Sequence, residues 1–322
     1  MAVYTKINNQ DLLSLSDSYK LGKITKSKGI KKGIENTNYL LKTNKSKFIL
    51  TIFERRVQKK DLPFFMSLME KLNKKKIICP KPLKNKKGEH LSQIRNKPAS
   101  IVTFLNGSDK TNLNFKNCFD IGKNIAKFHK ATSKIKLYRE NSMSIMKLDN
   151  LLKSIKFKSN NISSKLNPTL NMCLKDIKSQ WPKKLPSGII HGDLFIDNIF
   201  FNKNKFSGFI DFYFSSNDYL MYEIAICINS LCFDKKRNSF KINYKKVKNL
   251  INGYETIRPF TKKEKDALNI LCRGAALRYL LTRIYDYFNT PKTALIKIKD
   301  PNEYFQKLIF HNNLNNYKDY YK

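Results

Sequence analysis

Apolar positions recur along this chain with two periods. In the first third, Ile24–Ile30, Thr37–Thr43 and Lys47–Phe53 are short runs rich in β-branched and aromatic residues, the composition of strands. The turn Asn44-Lys45-Ser46 joins the last two into a hairpin. Ahead of them, Asn9–Tyr19 reads as an amphipathic helix with Leu12, Leu13 and Leu15 on its apolar side. Asp61 as N-cap and Pro63 in the first turn start a helix over Leu62–Asn73 that turns Phe64, Leu68 and Leu72 inward. Cys79–Leu83 is an extended entry to a second hairpin with Lys86-Lys87-Gly88 as its turn, and Ala99–Leu105 is a buried strand.

Beyond Asn106-Gly107 the period becomes helical. Helices are predicted over Phe115–Lys130, a piece around Ile145–Phe157, Leu166–Trp181, Tyr219–Phe233, Tyr244–Tyr254, Lys262–Phe288 and Asn302–Leu314. Lys134–Asn167, rich in Lys, Ser and Asn, is otherwise a connector. The change of period predicts an α+β chain. A length of 322 residues is long for one core and fits two lobes, a sheet-bearing one over residues 1–105 and a mainly helical one over 106–322.

The chemistry concentrates in one stretch of the second lobe. His191-Gly192-Asp193-Leu194-Phe195-Ile196-Asp197-Asn198 is followed, a short strand and turn later, by Ile210-Asp211-Phe212. An Asp, an Asn five places on and a second Asp closing an apolar strand suit phosphoryl transfer. One Asp holds the acceptor hydroxyl, while Asn198 and Asp211 hold magnesium on the nucleotide phosphates. Magnesium takes one or two hard oxygen ligands from protein and the rest from phosphate and water.

With Gly192 where protein kinases carry Arg, the stretch resembles the aminoglycoside-phosphotransferase and choline-kinase branch of the protein-kinase-like fold. The longer run HGDLFIDNIFF…GFIDFYFSSNDYLMYEIAICIN is similar, more narrowly, to the bacterial homoserine kinases of that branch. GIENTNYLL, FILTIFERRV, DLPFF, IVTFLNG and RGAALRYLLTRIYD extend the likeness over nearly the whole chain. The resemblance implies a bilobal fold, ATP and Mg2+ as cofactors, and transfer of the γ-phosphate to the hydroxyl of L-homoserine for threonine synthesis. Choline, an aminoglycoside or another amino alcohol is the alternative acceptor, and a non-catalytic nucleotide-binding protein the alternative class.

On that resemblance Asp193 orients or accepts the hydroxyl proton, and His191 braces the loop or carries protons. The turn at Gly33 with Asn36 covers the phosphates, or is an ordinary hairpin turn. Val102, Phe104 and Leu105 form the adenine-facing hinge. The third strand departs from the kinase pattern, since Thr51 stands where a phosphate-gripping Lys is expected. Arg55 or Arg56, just past that strand, can reach back in its place. Glu223 reads as a buried brace. Arg278, on one helix face with Thr282 and Asp286, is the candidate for the substrate carboxylate, with Arg283 second unless it pairs with Asp286. Asp218 meets the ammonium or caps the following helix.

Charge changes this picture little. A formal net charge of +38, from 63 Lys and Arg against 25 Asp and Glu, ordinarily raises nucleic-acid or membrane binding. Here the excess is Lys scattered over every segment amid many Asn and Ile, a compositional bias rather than a patch. Six cysteines show neither metal spacing nor pairing and read as buried hydrophobes in a reducing compartment. No signal peptide or membrane-length apolar run is present, so the expected location is the cytoplasm.

Overall fold

The computed structural model describes residues 3–30, 36–54, 57–159, 166–290, 298–314 and 316–321. They form two compact units: residues 3–107 with the return segment Ser207–Tyr213, and Ser108–Phe206 with residues 214–290 and 298–321.

The first unit opens with α1 (Asn9–Ser18), β1 (Ile24–Gly29), β2 (Thr37–Thr43), β3 (Lys47–Ile52), α2 (Leu62–Lys74), β4 (Leu91–Ile94) and β5 (Lys97–Thr103). The strands make one antiparallel sheet in the order β1-β2-β3-β5-β4. Alternation does the work in β2, where Thr37, Tyr39 and Leu41 face inward, whereas β3, central in the sheet, buries three residues in succession at Leu50, Thr51 and Ile52. Leu15 and Tyr19 from the α1 region join Tyr39, Leu41, Leu50, Ala99 and Ile101 in one core.

One local expectation fails here and a second holds in position. The second hairpin turns at Arg95-Asn96, not at Lys86-Lys87-Gly88. Both turn residues have positive φ (48° and 61°), the type I′ geometry that matches strand twist and suits Asn. Lys86–Gly88 instead lies in a separate turn closed by Gly88 N–H donating to Asn85 C=O. At α2 Asp61 is the N-cap and Pro63 lies in the first turn, as expected, but a single 3₁₀ turn over Lys59–Asp61 precedes the helix, so Asp61 sits in helical backbone and makes no side-chain cap bond.

The second unit contains α3 (Phe115–Thr132), α4 (Leu148–Ser159), α5 (Leu166–Gln180), β6 (Ser187–Ile190) and β7 (Ile199–Asn202), after which β8 (Lys205–Phe209) returns the chain to the first unit. It then continues through β9 (Ser216–Tyr219), α6 (Leu220–Leu231), β10 (Phe233–Lys236), β11 (Ser239–Ile242), α7 (Tyr244–Glu255), α8 (Lys262–Asn289) and α9 (Asn302–Asn312). The pairing of β6 with β9 and the β10–β11 hairpin are strands that periodicity did not announce. The long helix α8 begins with a capping box between Thr261 and Glu264 and is buried through most of its middle. No described helix is long and apolar enough to cross a membrane.

Two helices of this unit touch backbone to backbone. A Cβ added at Gly122 on α3 would lie 1.9 Å from Leu250 C=O on α7, and one added at Gly253 on α7 would lie 2.0 Å from Phe119 C=O. Alanine is the better helix former by about 0.5–1 kcal/mol. Overpacking costs about 1–3 kcal/mol or more, so the clash wins. Gly122→Ala is therefore expected to lower the melting temperature by several degrees. A melting curve unchanged or shifted upward would show that the helices separate without cost.

Candidate active site

Strand β6 ends at Ile190 and delivers His191-Gly192-Asp193 into a loop whose shape is set by main-chain contacts. Gly192 has φ +77°, and a Cβ there would stand 2.9 Å from Phe214 C=O, so the position excludes a side chain on two counts. From α6 the fully buried Glu223 accepts the backbone N–H of His191 and, at 3.1 Å, that of Gly192. Two charge-assisted bonds from main chain make Glu223 the brace of this loop. His129 stands behind it: its Nε2 is 3.9 Å from the Glu223 carboxylate and its Nδ1 bonds the Tyr254 hydroxyl at 2.9 Å. Burial pushes the His129 pKa down against the pull of Glu223. His191 is likewise buried, with its carbonyl accepting from Ser215 Oγ at 3.4 Å.

Asp193 is held by neutral donors. The Asn198 amide nitrogen donates to the Asp193 carbonyl at 2.8 Å and to its carboxylate at 3.1 Å. The buried Tyr279 hydroxyl donates to Gly192 C=O at 3.1 Å and approaches the Asp193 carboxylate at 3.4 Å. Because its nitrogen is committed to Asp193, Asn198 presents its oxygen as the atom fit for a hard cation. The neighbouring Asp197 is half-exposed, 3.8 Å from Lys299, whose ammonium lies 4.9 Å from the centre of the Phe195 ring.

Arg278, only 3% exposed on α8, has its guanidinium 4.7 Å from the Tyr279 ring centre and 6.0 Å from that of Phe214. Burial opposes its charge, but Tyr279, Tyr222 and Asp193 outweigh that and hold its pKa above the ordinary value. Its Nε and Nη1 complete no hydrogen bond among the described residues. Arg283 points elsewhere. It pairs with Glu303 at 2.7 Å and Asp300 C=O at 2.9 Å, which removes it as a second carboxylate site and also replaces the expected pairing with Asp286. Asp218 accepts from the Asn141 amide at 2.6 Å and from the next backbone N–H, of Tyr219, at 2.7 Å. Burial pushes its pKa up. It forms no cap, since Tyr219 is the N-cap of α6 and that terminus has no side-chain cap bond.

The nucleotide-side residues belong to the first unit. Gly33 and Arg55, with Arg56, lie outside the described residues. Asn36 is buried and its side-chain oxygen accepts Glu54 N–H at 3.4 Å. Thr51 is buried and donates to Asn38 Oδ1 at 2.7 Å, so the place of the kinase Lys holds a satisfied hydroxyl. On the adjoining strand, Lys97 donates to Glu54 at 2.5 Å and to Thr5 Oγ1 at 2.8 Å, a long-range pairing the pattern did not reveal. Val102 is buried, whereas Phe104 and Leu105 are partly exposed where β5 gives way to Asn106. Asp211 is exposed and has φ +63°, a backbone state costly for a residue with a side chain and one that clusters at functional sites. Among the described residues no group of three or more His, Cys, Asp or Glu side chains is arranged to hold a metal.

Residues 26–260 match the model of the phosphotransferase enzyme family. The chain is 41% identical to a homoserine kinase of Agrobacterium fabrum over 320 residues, covering 99% of this chain and 98% of that protein. It is 40% identical to a homoserine kinase of Bartonella henselae, covering 98% of each. Among solved structures, an amicoumacin kinase in complex with AMP-PNP, Ca2+ and Ami superposes with a TM-score of 0.70 at 13% identity, covering 95% of this chain and 92% of that one. An ethanolamine kinase of Plasmodium vivax gives 0.67 at 15% identity, covering 97% and 92%. At such identities these structures speak to fold, and they share the α+β kinase-like architecture described above.

Proposed function

The chain belongs to the phosphotransferase enzyme family, and on that premise we propose that it transfers the γ-phosphate of ATP to the side-chain hydroxyl of L-homoserine, giving O-phospho-L-homoserine for threonine synthesis in the cytoplasm. Asp193 orients that hydroxyl and takes its proton. A loose transition state asks more of positioning than of basicity, and the bonds from Asn198 and Tyr279 supply the positioning. His191 contributes through its backbone N–H to Glu223. Asn198 and Asp211 are the residues that would hold magnesium, which when bound neutralises charge on the phosphates. The Gly33 turn with Asn36 and Arg55 serves the phosphates, and Val102, Phe104 and Leu105 the adenine.

The observation that carries the amino-acid acceptor is the Arg278 guanidinium, buried beside Asp193 with two N–H groups unbonded. A planar fork of that kind suits a carboxylate, and Asp218 suits the ammonium of the same molecule. The test is ADP release in the presence of magnesium with L-homoserine, choline, an aminoglycoside and simple amino alcohols offered in turn. Turnover is expected with homoserine well above the others. Turnover with another alcohol and not with homoserine would reassign the acceptor.

A further inference from the structure

Among the buried polar atoms of the second unit that complete no well-formed hydrogen bond among the described residues, three belong to two neighbouring side chains: Nε and Nη1 of Arg278 and the hydroxyl of Tyr222. The two side chains come from different helices, α8 and α6, and stand within hydrogen-bonding reach of each other; a contact there would use a guanidinium N–H and an oxygen lone pair, so the Tyr222 O–H stays available to donate. Buried polar groups are nearly always satisfied, so unbonded donors gathered in one place call for a shared partner from outside the protein. Two N–H groups and an O–H beside a cation define that partner as an anion with paired acceptor oxygens. Asp193 does not fill the role: it acts on Arg278 electrostatically, but no hydrogen bond joins it to Nε or Nη1.

The Tyr222 hydroxyl is fixed by packing. Its ring meets Trp181 edge-on at 5.6 Å. Trp181 in turn seats on Gly274 of α8, where a Cβ would fall 2.4 Å from the indole. Gly274 is one helical turn ahead of Arg278, so one contact sets the spacing of both donors. Asp218 acts electrostatically on both Tyr222 and Arg278, which places a carboxylate in the same neighbourhood.

We infer that Tyr222 is a specificity-determining residue of the acceptor site: with the Arg278 fork it forms a three-donor cradle for the α-carboxylate and so selects an amino acid over the matching amino alcohol. The inference rests on the phosphotransfer proposed above and adds a residue to its acceptor site. It is tested with L-homoserine and 3-aminopropan-1-ol, which keeps the ammonium and the reacting hydroxyl but has no carboxylate. Tyr222→Phe is expected to raise KM for homoserine about tenfold, the worth of one hydrogen bond to a charged group. KM for ATP and kcat/KM for 3-aminopropan-1-ol should stay where they were, so that the preference narrows. Equal loss with both acceptors, or an unchanged preference, overturns the inference. If wild-type enzyme turns over no homoserine at all, the proposed reaction fails instead.

Should Tyr222→Phe not fold, wild-type inhibition gives a second reading. L-2-aminobutyrate retains ammonium and carboxylate and lacks the hydroxyl. Competition with homoserine by this compound but not by n-propylamine supports the cradle, and equal competition by both overturns it.

Discussion

Replacing Asp193 with Ala is expected to lower kcat by about 10²–10⁴-fold, the range for loss of a positioned acid–base group, while leaving ATP affinity nearly unchanged. The effect is large because Asp193 is oriented before any substrate arrives. Asn198 donates to its carboxylate, the Tyr279 hydroxyl stands 3.4 Å from it while donating to the Gly192 carbonyl, and Glu223 fixes the two preceding backbone N–H groups. Alanine removes the carboxylate and leaves the braces in place, so the deficit should fall on the chemical step. Single-turnover phosphorylation beside calorimetric ATP binding separates the two. Parallel loss of rate and of ATP binding would assign Asp193 a structural role. Asp193→Asn refines the result, because it keeps the side-chain shape and removes only the charge and the basicity.

Much of this arrangement is legible in the sequence where the signal is local. Asp193 and Asn198, five places apart, do meet through the Asn198 amide, and the expected helices from Phe115 onward coincide with those found to within a few residues at their ends. Contacts between distant parts of the chain left no such trace. Glu223 lies in an apolar helix 32 positions from the His191 N–H it accepts, and its role as a brace came from resemblance rather than from spacing. Arg283 finds Glu303 20 positions away on another helix, so the i,i+3 alternative looked equally good in one dimension. Tyr222 reads as core in the run MYEIAICI, and only burial without a hydrogen bond marks it out. The β10–β11 hairpin escaped because it turns through Arg237, in positive φ, with no Gly to signal the reversal.

The same burial that makes Arg278 useful should make it costly, and the two effects point in opposite directions. In the free protein the guanidinium carries unbonded N–H groups in the interior, among aromatic rings. Replacing a buried, imperfectly paired charge with an apolar residue of similar volume is often neutral or stabilising by about 1–4 kcal/mol. Arg278→Met is therefore expected to melt at or above the wild-type temperature. Truncating one partner of a buried charge pair costs about 2–5 kcal/mol, so the same variant should raise KM for homoserine by roughly 10²–10³-fold. KM for ATP should hardly move, because the lost interaction belongs to the acceptor. Arg278→Lys should fall between, since it keeps a charge but loses the fork and the ring stacking. Thermal melting of the free enzyme and steady-state kinetics on one preparation decide the matter. A Met variant that melts lower and binds homoserine as before would show that Arg278 holds the fold together and leaves the carboxylate to another group.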